Sequence, residues 1–445
     1  MMSAVRRVIG LAHRRDSAML RQMEGARAVA EAVALSRPEV ICAHPIMPQA
    51  HIVEALGAKV KAGTLRRCEF LNVESEFAAM SVAIGASAAG ARAYTATASQ
   101  GLLYMSEAVY NAAGLGLPIV MTVANRVIGA PINIWNDHSD AMSQRDAGWI
   151  QLYAETNQEA LDLHIQAFRI AEELSVPVMV CMDGFLLTHA FERADVPTRE
   201  QVDAFLPGYE PRQVLDPAEP VPIGAMVGAE AFTEVRYLTH ARQSQALELI
   251  PQVVAEFGKT FGRDSGGLVR GHRLDDAETV VVALGSVVGT LKDTVDELRA
   301  DDMRVGILGI STFRPFPTQA VREALGGDRR VRQIVVLERA FATGMGGIVS
   351  ADLRMALAGH LARGRSGEPV ISTVIAGLGG RAITQASVRN MLTDAAAGTL
   401  EPLSFLDLKK DLVKREVLRI QRSRRPGTSA ENMLRDHGTA PARFS

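Results

Sequence analysis

Glu76 is the acidic residue with the most unusual neighbours in this sequence. It opens a predicted helix, 75–88, and the twelve residues that follow it carry no charged side chain. A carboxylate held against such an apolar surface loses hydration, and its pKa rises unless another group donates a hydrogen bond to it. Glu76 is therefore a candidate proton donor or acceptor. The alternative is an ordinary first-turn acid that interacts only with the helix dipole.

Polar residues also follow two predicted strands in the same half of the chain. Ser99 and Gln100 come after the strand 92–97, and Arg126 comes after the strand 118–124. In open parallel sheets, ligands bind in the crevice beyond the carboxyl ends of the strands. These residues are therefore expected to line a polar pocket. Three further candidates for its wall follow in the sequence: Asn136, Asp137 and His138.

Three other patterns suggest chemistry that the rest of the sequence does not support. The turn 285–289 lacks the third glycine of a dinucleotide fingerprint and the Gly-Lys-Ser/Thr of a phosphate loop, so tight packing explains it better. His138 and Asp140 are residue types of a hydrolase triad, but the chain contains no Gly-x-Ser-x-Gly. His44 and His51 are seven residues apart, and no nearby acid completes a metal-binding set with them, so no metal site is predicted.

The composition narrows the class of protein. The 445 residues include 48 Lys and Arg against 50 Asp and Glu, a balance unlike that of proteins that coat nucleic acid. Three dispersed cysteines are too few for a four-cysteine metal centre and do not form a disulfide framework. No apolar run reaches the ~20 residues of a membrane helix. These features favour a cytoplasmic protein without a nucleic-acid or membrane partner.

The elements that must position these residues alternate between strands and helices. In the first half of the chain, strands are predicted at 40–43, 92–97, 118–124 and 176–182, and helices at 21–36, 75–88, 102–115 and 161–174. Apolar strands that alternate with helices predict a parallel sheet covered on both faces. A second series of strands and helices begins at residue 279, after a stretch rich in Gly, Arg and Asp.

The predicted fold class is therefore α/β, with two sheet domains. No periodic pattern is visible beyond residue 423, where the sequence is basic and rich in turn-forming residues. The predicted divisions are an N-terminal arm (1–20), a first domain (21–257), a linker (258–277), a second domain (278–400) and a C-terminal helix with a basic tail (401–445).

Long motifs in both halves of the chain resemble a known family. In order and context they are similar to the α subunit of the 2-oxoacid:ferredoxin oxidoreductases, most closely the pyruvate synthase type, over residues 20–400. The resemblance implies a thiamine-diphosphate-binding (pyrimidine-type) parallel-sheet domain followed by a transketolase C-terminal-like α/β domain. The motifs that carry it are 74–91, 95–101, 130–140, 283–290, 313–317 and 377–381.

The resemblance implies an enzyme that is active only as a hetero-oligomer. In this family the α subunit holds the aminopyrimidine ring of thiamine diphosphate, while a β subunit holds Mg²⁺, the diphosphate and a [4Fe-4S] cluster. A γ subunit and a ferredoxin-like δ subunit complete the complex. The reaction decarboxylates a 2-oxoacid, acylates coenzyme A, and passes electrons to ferredoxin or, through a partner, to NAD. This sequence lacks the Gly-Asp-Gly segment of the diphosphate site, which agrees with that division.

The resemblance also assigns roles to individual residues. Glu76 matches the glutamate that hydrogen-bonds N1′ of the pyrimidine and so activates the cofactor. Arg126 matches the arginine that faces the substrate carboxylate, a role that suits a bidentate guanidinium. The expected lining of the cofactor pocket consists of Ser99, Gln100, Asn136, Asp137 and His138.

The sequence departs from the family pattern at one position near the substrate. The family reads Tyr-Pro-Ile-Thr-Pro where this chain reads His-Pro-Ile-Met-Pro at 44–48. Met47 replaces a hydroxyl with an apolar side chain, and a thioether suits a larger or aromatic group. We therefore expect a 2-oxoacid bulkier than pyruvate, such as phenylglyoxylate. Pyruvate stays the alternative if Met47 packs only against the cofactor.

Two other functions stay open. A transketolase-like enzyme that joins two-carbon units would use the same cofactor, but the segment that binds its diphosphate is missing from this sequence. A scaffold subunit that assembles redox partners without catalysis would need neither Glu76 nor Arg126, and both are present.

Overall fold

The computed structural model describes residues 19–220, 222–326, 331–358, 369–425 and 427–438. The predicted N-terminal arm therefore lies outside the described residues, except for Met19 and Leu20, which begin the first strand. Among the described residues, no helix combines the length and the apolar character that a membrane span requires.

Alternating strands and helices fill the first part of the chain. Its elements are β1 (Met19–Glu24), α1 (Gly25–Leu35), β2 (Val40–Ala43), α2 (Ala50–Lys61), β3 (Glu69–Asn72), α3 (Glu76–Ala88), β4 (Ala93–Thr97), α4 (Ser99–Tyr104), α5 (Ser106–Gly114), β5 (Val120–Asn125), α6 (Ser139–Ser143), β6 (Ile150–Tyr153), α7 (Asn157–Leu174), β7 (Val178–Asp183), β8 (Phe191–Val196), α8 (Arg199–Phe205) and α9 (Phe232–Phe261).

The second part of the chain continues the same alternation. Its elements are β9 (Val269–His272), β10 (Thr279–Ala283), α10 (Val287–Ala300), β11 (Val305–Ile310), β12 (Thr312–Arg314), α11 (Thr318–Leu325), β13 (Gln333–Glu338), α12 (Val349–Leu357), β14 (Val370–Ile375), α13 (Gln385–Ala396), β15 (Leu403–Phe405), α14 (Lys410–Arg422) and α15 (Ser429–His437).

Seven strands form the first sheet, in the order β12-β6-β7-β5-β4-β2-β3. All pairs within it are parallel except β12–β6, which is antiparallel. Every residue of β4, β5 and β7 is buried, because helices cover both faces of these apolar strands. The predicted parallel sheet is confirmed. The strand β12 was not predicted in this sheet, since it follows β11 of the second domain in the sequence.

Six strands form the second sheet, in the order β15-β14-β13-β10-β11-β9, with only β9 antiparallel to its neighbour. One apolar core contains side chains of both sheets, among them Met121 and Met179 from the first and Val282 and Val336 from the second. The two domains therefore share one continuous core, and β12 crosses between them.

Three predictions of local structure were wrong. Residues 21–24 belong to β1, which pairs with β8, and not to the first helix. The turn expected at 99–101 is the first turn of α4. The stretch 258–277 is not a free linker, because α9 continues to Phe261 and β9 adds an edge strand to the second sheet.

The C-terminal segment contains two helices where one was predicted. Thr428 caps α15 by accepting a hydrogen bond from the backbone N–H of Glu431 (3.4 Å). Between α14 and α15, the buried Glu416 carboxylate accepts a hydrogen bond from Asn432 Nδ2 (3.1 Å) and also pairs with Arg419. Polar contacts between two helices leave no periodic apolar pattern in the sequence. The helix α15 was therefore not predicted.

Candidate active site

The carboxyl ends of three adjacent strands of the first sheet form the rim at which the predicted site residues lie. β4 ends at Thr97, β5 at Asn125 and β7 at Asp183. Glu76 enters at the same edge, because it begins α3 directly after the parallel strand β3. The segment that leads from β5 to α6 brings the remaining candidates to this rim.

Glu76 is the first residue of α3, and its side chain is partly exposed. Ser75 caps the helix by accepting a hydrogen bond from the backbone N–H of Ala78 (3.2 Å). Glu76 packs closely against α4, because a Cβ on Gly101 would lie 2.7 Å from Glu76 Oε1 and 2.6 Å from Thr97 Oγ1. Gly101 therefore allows the carboxylate its position. The apolar enclosure expected for Glu76 covers only one side of it in this chain.

Arg126 and Met47 were both predicted to contact substrate, and the structure brings them together. Arg126 Nη1 donates to the backbone carbonyl of Met47 (3.0 Å), and Nε donates to the carbonyl of Asn133 (3.2 Å). Met47 is 39% exposed, so this apolar residue lies at the surface of the site. Two backbone carbonyls thus orient Arg126, and its Nη2 makes no hydrogen bond to any residue that the structure describes.

Asp140 is the residue of this site that the sequence prediction missed. Its Oδ2 accepts hydrogen bonds from the backbone N–H groups of Ser99 and Arg126 (both 2.9 Å). Its Oδ1 accepts from Asn125 Nδ2 and from the backbone N–H of Ala141 (both 2.8 Å). Burial raises the pKa of Asp140 to about 6, although the four hydrogen bonds favour the ionised form. One buried carboxylate therefore joins the segments that follow β4 and β5.

Ser99 and Gln100 lie at the rim, but the fold already uses much of their hydrogen-bonding capacity. Ser99 is fully buried at a positive φ of 49°, and its hydroxyl donates to the carbonyl of Val127 (2.5 Å) and contacts Gln100 Oε1. Gln100 Nε2 lies 2.7 Å from where a Cβ on Gly129 would be. Both side chains thus support the segment that carries Arg126.

His138 lies in the seam between the two domains and not on the open side of the rim. Its Nε2 is 2.6 Å from Asp183 Oδ1, and its backbone N–H donates to the carbonyl of Arg339 (3.0 Å). Asp183 Oδ2 accepts hydrogen bonds from the backbone N–H of Ser286 (2.9 Å) and from Arg339 Nη1 (3.1 Å). Burial alone would raise the pKa of Asp183, but Arg339 and His138 hold it well below its usual range.

Asp137 and Asn136 are buried beside His138. Asp137 Oδ1 accepts a hydrogen bond from the backbone N–H of Ser139 (3.0 Å) and also contacts the Ser139 hydroxyl. Burial raises the pKa of Asp137, and the bonds from Ser139 oppose that rise. Asn136 accepts the backbone N–H of Gly380 (2.9 Å) through its carbonyl, while its side-chain Nδ2 is buried without a partner among the described residues.

Glycine-rich turns of the second domain pack against this segment. A Cβ on Gly379 would lie 2.6 Å from Asn133 Nδ2, and one on Gly380 would lie 2.4 Å from Trp135 Cβ. Gly285 has a φ of 78°, and a Cβ there would lie 3.1 Å from the His138 ring. Gly285, Gly379 and Gly380 therefore allow close packing of the two domains. The turn 285–289 was predicted to pack its own strand and helix tightly, so the contact of Gly285 with His138 was not foreseen.

One cluster of possible metal ligands was hidden from the sequence analysis. His51 Nδ1 lies 2.7 Å from Glu24 Oε1, and His189 stacks on His51 with ring centroids 4.6 Å apart. His189 Nδ1 also contacts the hydroxyl of Thr188 (2.8 Å). The acid that seemed missing near His51 is thus supplied by β1. Each of the three side chains thus has at least one contact within the described part of the chain.

The rim fits a polar heterocycle. Three of its buried atoms make no hydrogen bond to any described residue: Thr97 Oγ1, Asn125 Oδ1 and Asn136 Nδ2. Buried polar atoms without partners are costly, so their presence indicates a place for a bound polar group. With the partly exposed Glu76 carboxylate, they could hold a ring that carries nitrogen donors and acceptors, such as an aminopyrimidine.

Comparison with protein families gives two matches. The family described as "Pyruvate flavodoxin/ferredoxin oxidoreductase, thiamine diP-bdg" matches residues 31–255. The family described as "Pyruvate:ferredoxin oxidoreductase core domain II" matches residues 277–388. Together the two matches span both sheet domains.

Individual proteins agree with these families. The pyruvate synthase subunit PorA of Methanosarcina barkeri is 44% identical over 398 residues, 88% of this chain and 97% of that protein. The ketoisovalerate oxidoreductase subunit VorA of Pyrococcus abyssi is 39% identical over 373 residues, 84% of this chain and 92% of that protein.

Two solved structures share the fold. A 2-oxoglutarate:ferredoxin oxidoreductase from Magnetococcus marinus has a TM-score of 0.61 at 17% identity, and the match covers 84% of this chain and 65% of that one. A split-gene transketolase, an inactive β4 tetramer, has a TM-score of 0.50 at 12% identity, over 85% of this chain and 99% of that one. At these identities the likeness concerns the fold alone.

Proposed function

This chain belongs to the α-subunit family of the 2-oxoacid:ferredoxin oxidoreductases, and on that premise we propose that it is the α subunit of a CoA-acylating 2-oxoacid oxidoreductase. The family is one of oxidoreductases that use thiamine diphosphate, a 2-oxoacid, coenzyme A and ferredoxin. In the proposed reaction the 2-oxoacid and coenzyme A give acyl-CoA, carbon dioxide, a proton and two electrons, which pass to iron–sulfur partners. The final acceptor is ferredoxin or, through a further partner, NAD.

The observation that carries this proposal is the hydrogen-bond network of Asp140. Through Ser99 and Arg126, Asp140 links α4, which packs under Glu76, to the segment that presents the arginine. A proton-exchanging carboxylate and a carboxylate-binding guanidinium are thereby fixed relative to one another. Such preorganisation is what catalysis by positioning requires.

Thiamine diphosphate, when bound, supplies the nucleophilic carbon that attacks the keto group. This chain would hold its pyrimidine ring. Glu76 would accept a hydrogen bond at its carboxylate from the ring nitrogen and share that proton. The unpartnered atoms of Asn136 and Thr97 would take the remaining ring donors and acceptors. Arg126 would bind the substrate carboxylate through Nη2.

The proposal places Mg²⁺, the diphosphate and a [4Fe-4S] cluster on a β subunit, with γ and ferredoxin-like δ subunits completing the complex. The three rim aspartates, Asp137, Asp140 and Asp183, are all engaged by described donors, which leaves them poor Mg²⁺ ligands. Large side chains around the rim are exposed in this chain, as expected of a surface that a partner covers: Phe77, Tyr104, Ile132, Trp135 and Leu186.

We propose that the substrate is a 2-oxoacid bulkier than pyruvate, with phenylglyoxylate as the aryl example. The support is local, since the backbone carbonyl of Met47 accepts a hydrogen bond from the guanidinium that would hold the carboxylate, and Met47 is exposed. The ketoisovalerate relative is compatible with a bulky substrate. Pyruvate is the second candidate, because several relatives at 40–44% identity are pyruvate synthase subunits.

The test uses the co-purified complex with thiamine diphosphate, Mg²⁺, coenzyme A and a one-electron acceptor dye. Its kcat/KM would be compared for pyruvate, 2-oxoglutarate, 2-oxoisovalerate and phenylglyoxylate, in the natural complex and in Met47→Thr. We expect the bulky acids to be preferred, and the variant to shift preference toward pyruvate by about tenfold. A natural preference for pyruvate that Met47→Thr does not change would reject the role of Met47. Reduction with none of the acids would reject the enzymatic proposal.

A further inference from the structure

One cavity lies at the opposite edge of the first sheet, away from the rim. It has a volume of 660 Å³, and its arginines come from segments just before three adjacent parallel strands. Arg37 precedes β2, Arg66 and Arg67 precede β3, Arg92 precedes β4, and Arg199 begins α8. Five residues of β4 span roughly 16 Å, so this arginine cavity is separate from the Glu76 rim.

Two of the five arginines are used by the fold itself. Arg92 is buried, and its guanidinium donates to both oxygens of Glu172 (2.5 and 2.9 Å). Arg37 pairs with Asp203 and donates to the carbonyl of Leu206 (2.5 Å). These two arginines therefore form the fixed floor of the cavity.

The other arginines have donors to spare. Arg66 and Arg67 are exposed, and neither makes a hydrogen bond or ion pair with any residue that the structure describes. Arg199 has only a distant partner, with 3.6 Å between its Nε and Asp203 Oδ2. Three guanidinium groups therefore face the cavity and its opening with unused N–H donors. The paired N–H groups of a guanidinium suit phosphate oxygens.

The charges around the cavity do not balance. Five guanidinium groups line the cavity. Three carboxylates lie near them: Glu39 in the wall, Glu172 paired with Arg92, and Asp203 paired with Arg37. Among these eight groups, the positive charges exceed the negative charges by two. Burial, together with the nearby Arg92 and Arg199, lowers the pKa of Arg37. Such crowding of cations is relieved when an anion binds among them.

The backbone adds an independent observation. Arg37 and Arg67 have φ values of 57° and 55°, in the left-handed region that favours glycine. Strained backbone positions of this kind occur at ligand-binding segments, where the role of the side chain outweighs the energetic cost of the backbone conformation. Two of the five cavity arginines occupy positions where glycine would be the relaxed choice.

The second sheet provides an internal comparison at its corresponding edge. A cavity of 310 Å³ lies before β10, β11 and β13 and includes Arg304 and Arg332. Both arginines pair with Glu278, at 3.0 and 3.5 Å, and Asp302 also lines the wall. The positive charge there is balanced. A cavity at this edge is thus a general result of the fold, but a surplus of positive charge is not.

We propose that the arginine cavity binds a phosphorylated metabolite of nucleotide size, with Arg66, Arg67 and Arg199 holding its phosphate groups. The surplus of two charges matches a phosphate monoester, which carries about −1.5 to −2 at pH 7, and offsets most of the charge of a diphosphate ester. The volume exceeds what phosphate alone fills and lies in the range of small-molecule sites. The ring of Tyr209 forms part of the wall and provides a flat surface for the rest of the ligand. The ligand would act away from the reacting centre, as an effector.

The test measures binding to the purified full-length chain by calorimetry, with ADP, pyrophosphate and inorganic phosphate as probes. We expect one ADP per chain, with affinity that falls as salt rises from about 50 to 200 mM. The Arg66→Ala/Arg67→Ala double variant should weaken ADP by about tenfold or more. The matched control, Arg304→Ala/Arg332→Ala, should bind ADP within about twofold of the natural chain. Equal unfolding temperatures would establish that both variants fold.

Two results would overturn the proposal. ADP binding that is unchanged in Arg66→Ala/Arg67→Ala would place the site elsewhere. No binding of any probe at low salt would reject a phosphate site. In that case, protection of Arg66 and Arg67 from an arginine-modifying reagent when the complex assembles would indicate an acidic protein surface instead. The test needs no turnover, so its failure leaves the oxidoreductase proposal untouched.

Discussion

Each sheet places a buried carboxylate at its carboxyl edge, and the two carboxylates are used differently. Asp140 accepts hydrogen bonds from separate segments, which include the backbone N–H groups of Ser99 and Arg126. Glu338, at the end of β13, accepts from three successive backbone N–H groups at the start of α12, at 2.7, 2.7 and 3.0 Å. Asp140 therefore organises a site, whereas Glu338 caps one helix.

The same contrast holds for the rest of the two edges. The edge of the first sheet leaves Glu76 and part of Arg126 open. At the edge of the second sheet, Ser286 and Arg339 donate hydrogen bonds to Asp183 of the first sheet. The glycine turns at this edge pack against the first domain. Under the proposed function, the first α/β unit presents the reactive groups, and the second packs against the segment that follows Arg126. The four changes below test that division.

Glu76→Gln should have the largest effect. An amide cannot exchange the proton that the proposed role requires, so turnover of the complex should fall by about 10³-fold. Glu74→Gln, a neighbouring exposed acid, is the control and should stay within about twofold. Steady-state dye reduction at saturating cofactor is the measurement. Activity near the natural level in Glu76→Gln, in an intact complex, would favour the scaffold function.

Asp183→Asn should lower the free energy of unfolding of the chain and should affect the turnover of the complex much less. It leaves the Arg339 charge buried without its partner, which costs about 3–5 kcal/mol. The pKa of Asp183 is lowered in the folded chain, so its contribution is complete above the unfolded-state pKa near 4 and is lost as the pH falls below it. Urea unfolding of the chain measures this. Asp301→Asn, an exposed partner of Arg389, should cost less than about 1 kcal/mol.

A large loss of turnover in Asp183→Asn that unfolding does not explain would contradict the contrast between the two sheet edges. It would mean that the second edge takes part in the reaction and does not only support the first. Turnover is therefore to be measured at a temperature at which the variant is fully folded.

Gly101→Ala should lower turnover by about 10²-fold without unfolding the chain. The added methyl group would displace the flexible end of Glu76, which is 2.7 Å away, and so move the carboxylate from its position. Gly85→Ala is the matched control, because a Cβ at Gly85 in the same helix as Glu76 meets nothing within 4 Å. Gly85→Ala should keep full activity and raise stability slightly.

Asp140→Asn should have the smallest effect, a rise of about tenfold in KM for the 2-oxoacid. The new amide would face the backbone N–H groups of Ser99 and Arg126, so the arginine would lose its fixed position. Glu338→Gln is the control from the other edge and should leave KM unchanged. Equal effects of both variants on KM would contradict the contrast between the two carboxylates.

The pH dependence of Asp140 gives the same prediction a second readout. Its pKa is raised to about 6, so protonation below pH 6 should raise KM in the natural complex, and Asp140→Asn should lack that step. The folded chain binds this proton more readily than the unfolded chain. Ionisation of Asp140 therefore costs up to ~3 kcal/mol of stability as the pH rises from about 4 to 6.

The sequence predicted the elements with clear periodicity and the positions directly beyond them. The strand β2 was predicted with its bounds. Arg126 was singled out because it follows a predicted strand, and Glu76 because an uncharged helix follows it. Asp140 was missed because its donors at Ser99 and Arg126 are 41 and 14 residues away, and pairings of that kind are set by the tertiary fold. His138 carried no sign that its partner would be Asp183.

The strand β12 has a consequence for synthesis of the chain. Residues 312–314 close the outer edge of the first sheet at β6, although the other strands of that sheet are complete by residue 183. While the ribosome is still producing the intervening residues, β6 presents unpaired backbone groups next to a buried apolar strand. Exposed edges of this kind invite pairing with other chains. The edge of β6 therefore stays unpaired while about 130 further residues are synthesised, and it is a target for chaperone binding during that time.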